Sequence, residues 1–198
     1  MHIRSALFNN TIKPIFFVLL LLPTLLLIKG ISFDTLGANS PEYVFHSLGE
    51  WALRILLLTL LLSPLRRALR WPQLLQLRRM FGLFTFYYAS LHSLFYLWFE
   101  QSLDWLAIYS DIWDRPFITA GVLAFLCIFP LAITSTKNMM RQMGRRWKLL
   151  HLLVYPAVIF SVIHFWWLVK ADITEPLVYA GLMAVLFAER AWGKLERR

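Results

Sequence analysis

Charge and cysteine are the two things this chain has least of. Only 16% of its 198 residues are charged and 59% are apolar, whereas a soluble domain carries about 25% charged residues. That balance excludes an ordinary water-exposed surface and places the chain in the membrane class. The single cysteine, Cys127, lies in an apolar run, so an internal disulfide is excluded. No Cys-x-x-Cys-His string occurs, which excludes a haem attached through thioether bonds. Acids are scarce as well, 11 against 20 Lys and Arg, and the resulting +9 charge calls for a membrane explanation before a nucleic-acid one. Repeats of about 20–50 residues, low-complexity tracts and linkers are all missing, so 1–198 reads as one bundle with short loops.

What the chain does have is long apolar runs and large aromatics, sixteen Phe and nine Trp among them, which fill membrane bundles and anchor their rims. A membrane helix needs about 20 apolar residues. Six stretches qualify: Pro14 to Ile28, Phe45 to Leu62, Met80 to Phe99, Phe117 to Thr134, Leu149 to Val169 and Pro176 to Trp192. The expected fold is therefore all-α, a polytopic six-helix transmembrane bundle. The first stretch is short and holds Pro23, and basic residues before an apolar core are also the pattern of a secretory signal. No clear small-residue cleavage site follows Ile28.

Basic residues alternate between the connecting segments. One side collects Arg4, Lys13, Arg66, Arg67, Arg70, Arg78, Arg79, Lys137, Arg141, Arg145, Arg146, Lys148, Arg190, Lys194, Arg197 and Arg198. The other has only Lys29, Arg115 and Lys170 beside eight acids, Asp34, Glu42, Glu100, Asp104, Asp111, Asp114, Asp172 and Glu175. The positive-inside rule then puts both termini in the cytoplasm.

Three histidines fall inside the apolar stretches, where a titratable side chain is costly and generally has a task. The third and fifth stretches both run outward, which sets His92 about 20 Å and His164 about 24 Å from the cytoplasmic rim at about 1.5 Å per residue. One iron can take a ligand from each, so His92 and His164 form the best haem-ligating pair. His151 lies about 20 Å below His164 by the same rise and is the candidate ligand of a second, inner haem. The corresponding positions on the third stretch are Arg78 and Arg79, donors only, which suit a haem propionate or a flavin phosphate better than iron. Thirteen residues also leave His151 and His164 roughly 140° apart around an ideal helix, and Pro156 between them is the residue able to alter that phase. His46, Glu50 and Arg54 read as a satisfied polar stripe, and His2 as a tail residue. The rival reading from another class is a small transporter or proton channel using His, Glu50 and Arg54 as a relay, and a third is a cofactor-free assembly scaffold.

The strings Arg78-Arg79-Met80-Phe81-Gly82-Leu83, Leu91-His92, Arg115-Pro116-Phe117-Ile118-Thr119-Ala120-Gly121, Thr134-Ser135-Thr136, Trp147-Lys148-Leu149-Leu150-His151-Leu152-Leu153-Val154-Tyr155 and His164 carry a resemblance across essentially the whole chain. It resembles the ferric reductase-like transmembrane superfamily, in the branch of haem-binding membrane subunits that serve bacterial periplasmic methionine sulfoxide reductase systems. The resemblance implies a single haem-binding domain in the bacterial inner membrane, with one or two b-type haems held by His92, His151 and His164, and FMN. It also implies an electron-transfer subunit without catalytic residues of its own, paired with a periplasmic molybdopterin reductase, MsrP. Larger relatives carry a flavin and nicotinamide domain after the last span; with no Gly-x-Gly-x-x-Gly here, reductant is expected from quinol or a cytosolic flavin reductase.

The orientation has a direct check. A reporter that fluoresces only in the cytoplasm, fused after Arg198, should be bright, and a phosphatase active only outside should be active when fused after Ser102. The reverse pattern would invert the bundle.

Overall fold

In the computed structural model, residues 8–169 and 172–195 are described, and every regular element among them is helical. His2, Arg4, Lys170, Arg197 and Arg198 lie outside them. Long helices are α1 (Lys13–Ser32), α2 (Ser40–Ala68), α3 (Leu77–Phe95), α5 (Pro116–Ile133), α8 (Val154–Leu168) and α9 (Thr174–Leu195). Shorter ones are α4 (Trp105–Asp114), α6 (Lys137–Met143) and α7 (Arg145–Leu150).

Local chemistry sets the helix starts. Proline opens α1, α2 and α5 within the first two positions, where its missing N–H costs nothing. Asp104 caps α4 by accepting from the backbone N–H of Leu106 at 2.9 Å and Ala107 at 3.2 Å. Thr136 caps α6 through the N–H of Met139 at 3.1 Å, and Gly144, at φ +52°, makes the turn into α7.

Four helical segments are long and apolar enough to cross a membrane: Phe8–Ser32, Ser40–Ala68, Pro116–Ile133 and Arg145–Leu168. The remaining two of the six apolar stretches are helical as well, α3 and α9, but they carry more polar side chains, Arg78, Arg79 and His92 on one and Glu175, Glu189 and Arg190 on the other. The outward faces suit lipid: on α1 alone Ile15, Val18, Leu22, Leu25 and Leu26 are all exposed.

Two cores meet on α2. Leu48, Ile55 and Leu62 pack with Leu20 and Leu27 of α1 and with Phe81, Phe84 and Tyr88 of α3. Leu53, Leu56, Leu57 and Leu60 pack with Ile128 of α5, Ala157, Val158 and Val162 of α8 and Leu186 of α9. The closest pairings are α2 with α3 and α5 with α8, two hairpin-like units that pack around α2. Hydroxyls of Thr59, Thr85 and Ser161 turn to the carbonyls of their own helices four residues back, which satisfies these donors in apolar surroundings.

Two features depart from the sequence reading. The segment after the third stretch holds α4, where a loop was expected. Trp105, Tyr109 and Trp113 fall on one exposed face of it and Ile108 on the buried one, at helical spacing. The fifth stretch is interrupted: α7 tightens into a 3₁₀ turn at His151–Leu153 before α8 begins. Pro156 has no N–H for the carbonyl of Leu152, which explains the local tightening. Three residues at about 120° each in place of about 100° cut the angular separation of His151 and His164 from roughly 140° to roughly 80°.

Tyr88 pins α1 to the bundle. Its fully buried hydroxyl donates to the carbonyl of Leu20 at 2.7 Å and accepts from Thr24 Oγ1 at 3.1 Å. Interhelical bonds in membrane proteins contribute about 0.6 kcal/mol on average and up to about 1.7. Tyr88→Phe should therefore lower the melting temperature in detergent by about 2–4 °C for each kcal/mol lost, and an unchanged melting temperature would show that α1 is held by packing alone.

Candidate functional site

His92 on α3 and His164 on α8 come together inside the bundle. Their ring centroids lie 6.2 Å apart with planes at 79°. Each ring is tethered through Nδ1 to a backbone carbonyl of the helix packed against its own: His92 to Phe45 O of α2 at 3.0 Å, His164 to Phe117 O of α5 at 2.6 Å. A carbonyl only accepts, so Nδ1 carries the proton in both rings and Nε2 is left as a free lone-pair donor. Phe45 also stacks on His92, centroids 4.3 Å apart and planes at 14°.

Glycine makes the approach possible. A Cβ on Gly49 would stand 3.0 Å from His92 Cε1, and one on Gly121 would stand 2.9 Å from His164 Nδ1. Both histidines and both glycines line one cavity of about 730 Å³, within the range of roughly 300–1,000 Å³ usual for ligand and cofactor sites. Most of its wall is apolar, with Leu53, Leu56, Phe125 and Ile128 among the lining side chains, and Ile108 of α4 contributes to the wall.

Several charged groups at the cavity are paired. Arg54 donates to Glu50 at 2.7 Å and to Tyr179 Oη at 2.9 Å, and His46 lies 3.6 Å from Glu42. The expected polar stripe is thus satisfied, with His46 turned to Glu42 instead of Glu50. Asp111 accepts from Tyr96 at 2.9 Å, from Gln101 at 2.6 Å and pairs with Arg115 at 3.1 Å, tying α4 to the end of the third stretch and to the start of α5.

The donor set discriminates between a bare ion and a haem. Among the described residues no group of three or more His, Cys, Asp or Glu is placed to hold a metal. Two imidazoles suit an iron whose other donors arrive with a porphyrin. Two metal–nitrogen bonds of about 2 Å plus the half-widths of two rings put the centroids about 6 Å apart, which the 6.2 Å separation matches. The residues present therefore fit a bis-histidine haem.

His151 lies apart from this cavity. Its ring stacks on Trp147 at 3.7 Å, and Nδ1 bonds the Trp147 carbonyl at 3.0 Å, one turn back on its own helix. Arg78 of α3 is a charged group that acts on it. Arg78 itself is crowded by Arg66 and Arg190. Arg190 donates to Tyr155 Oη at 3.0 Å and to Leu60 O at 2.7 Å, and among the described residues the acid beside it, Glu189, is engaged through one oxygen by Arg67. Arg66 Nε and Arg190 Nε are buried without a hydrogen-bond partner. Among the described residues this recess holds more positive charge than it neutralises, which suits an anionic group. Arg79, by contrast, is exposed.

Sequence reading singled out His92, His164, His151 and Arg78 but missed Phe45, Gly49, Phe117, Gly121, Arg66 and Tyr179. A signal for the first four was available: Phe45, Gly49 and His92 recur as Phe117, Gly121 and His164 at a constant offset of 72 residues (45 to 117, 49 to 121, 92 to 164). The same offset sets His151 against Arg79. A search confined to periods of about 20–50 residues passes over it.

Comparison with known proteins identifies the family. Residues 48–162 match the family model for the ferric reductase like transmembrane component. The chain belongs to the ferric reductase-like transmembrane family. Within it, the similar curated proteins are MsrQ subunits. A protein-methionine-sulfoxide reductase heme-binding subunit MsrQ of Xanthomonas campestris pv. campestris (strain B100) is 48% identical over 165 residues, 83% of this chain and 76% of that protein. The MsrQ of Xanthomonas oryzae pv. oryzae (strain MAFF 311018) is 47% identical over the same shares. That of Azospira oryzae is 46% identical over 190 residues, 95% of this chain and 80% of the relative. No solved structure matches the chain.

Proposed function

We propose that this protein is a membrane b-type cytochrome, the haem-binding electron-transfer subunit of a protein-methionine-sulfoxide reductase system. It takes electrons from the quinone pool or a cytosolic flavin reductase and delivers them across the bacterial inner membrane to the periplasmic partner MsrP. The reading includes six spans with both termini in the cytoplasm, and it leaves the reduction of methionine sulfoxide to the partner. The observation that carries it is the pair of imidazoles on α3 and α8, 6.2 Å apart and both aimed into one apolar cavity.

A bound haem would supply reversible one-electron chemistry at iron. His92 and His164 would hold the haem through Nε2. The carbonyls of Phe45 and Phe117 fix the tautomer of each ring and strengthen its donor nitrogen. The apolar lining keeps water from the site, and the Glu50–Arg54–Tyr179 group adds a neutralised polar edge. His151 is the ligand we assign to a second, inner haem. We assign Arg78, with Arg66 and Arg190 beside it, to a haem propionate or the phosphate of FMN, and Arg79 to the same group from the rim.

The purified protein in mild detergent should give a b-type difference spectrum, reduced minus oxidised, with one or two haems per chain by pyridine haemochrome. His92→Ala and His164→Ala should each abolish the haem of this site and coupled reductase activity while membrane insertion persists, and His46→Ala should keep wild-type haem. Normal haem in both ligand variants would overturn the assignment, and a haem-free wild-type protein with proton or solute flux in vesicles would replace it with a relay.

A further inference from the structure

We propose that Gly49 and Gly121 are positioning residues for the two ligating histidines, acting by exposing the backbone carbonyl one turn before them. This deepens the haem-ligand reading and rests on it. In a helix the carbonyl of residue i accepts from the N–H of residue i+4 and keeps a second lone pair pointing outward. The side chain of residue i+4 stands beside that lone pair. At positions 49 and 121 that side chain is absent, and an imidazole from the facing helix occupies the space instead. Added Cβ atoms there would lie 3.0 Å and 3.1 Å from Cε1 and Nδ1 of His92, and 3.0 Å and 2.9 Å from the same atoms of His164. Contacts that short force the ring to shift, and with it the Nδ1 bond to Phe45 O or Phe117 O.

The device appears twice with identical spacing. In each half the accepting carbonyl, the glycine four residues on and the histidine 47 residues after the carbonyl keep the same register. Two independent packing accidents do not produce one spacing, one acceptor atom type and one missing side chain on both sides of a single cavity. A glycine kept only for helix packing would have no reason to face an imidazole. By contrast, a Cβ on Gly181 meets nothing within 4 Å.

The consequence is chemical. The Nδ1–H bond makes the imidazole a stronger donor and favours the oxidised metal, and outer partners of this kind are worth about ten- to a hundredfold in metal affinity. Gly49→Ala, Gly121→Ala, Gly181→Ala and His92→Ala, expressed with excess haem, test it through haem per chain, midpoint potential and the low-spin ferric electron paramagnetic resonance signal. Gly49→Ala and Gly121→Ala should each lose about ten- to a hundredfold in haem affinity, and the haem they retain should have a more positive midpoint and altered signal; Gly181→Ala should match wild type. Retained haem with wild-type midpoint and signal in both variants overturns the positioning role, whatever the occupancy. A second arm leaves the glycines intact: His164→Gly supplied with imidazole or 1-methylimidazole. Only imidazole can donate to Phe117 O, so it should bind about three- to tenfold more tightly, and equal affinities overturn the proposal. Haem loss in His92→Ala beside unaffected glycine variants rejects positioning alone, whereas normal haem in His92→Ala rejects the ligand reading and this proposal together.

Discussion

Everything polar inside this bundle must find its partner inside the bundle. Lipid offers no hydrogen bonds, so an imidazole held there needs an acceptor for its N–H, and the nearest abundant acceptors are helix carbonyls already engaged in their own ladder. The tether from His92 to Phe45 O and from His164 to Phe117 O answers that constraint, and much of the site follows from it. It fixes which nitrogen of each ring is free and which helix must pack against which. It also dictates where a side chain has to be missing. The pairing of α2 with α3 and of α5 with α8 is the fold-level form of the same two bonds.

The inner end of the bundle obeys the same constraint less completely. His151 satisfies its Nδ1 locally, on Trp147 O, and so asks nothing of a neighbouring helix. Across from it, among the described residues, the cations outnumber the acids, and two guanidinium nitrogens are buried without partners. An orphaned buried donor is expensive. A balanced outer site of two imidazoles and an unbalanced inner recess of arginines are different chemical invitations, one to a metal and the other to an anion.

Much of this was legible in the sequence because membrane helices announce themselves by length and composition. The depth of His92 and of His164 follows from counting residues at a fixed rise, and that count was enough to bring the pair together. The extra helix α4 escaped because ten residues of mixed aromatic and acidic character look like a rim loop until Trp105, Tyr109 and Trp113 are laid on a helical wheel. The tightening at His151–Leu153 was foreshadowed by Pro156, but its sense, towards a smaller angular offset, depended on which hydrogen bonds replaced the missing one. The glycines escaped for a different reason. A side chain that is absent leaves no periodic signal, and its role appears only when the partner filling the gap is known. The arginine cluster drew on residues from three separated segments, Arg66, Arg78 and Arg190, which no local pattern joins.

The two halves share a pattern but not a stiffness. Helix α2 is gripped on opposite faces by two cores, and 44% of its most apolar window is buried, against 22% for α5. A rod clamped on both sides cannot roll about its long axis without disrupting one core or the other, whereas a rod with lipid along one flank can. The carbonyl that holds His92 therefore sits on a helix enclosed from two sides, and the one that holds His164 on a helix with a broader flank open to lipid. Two rings alike in their tethers thus enter the cavity from unlike supports.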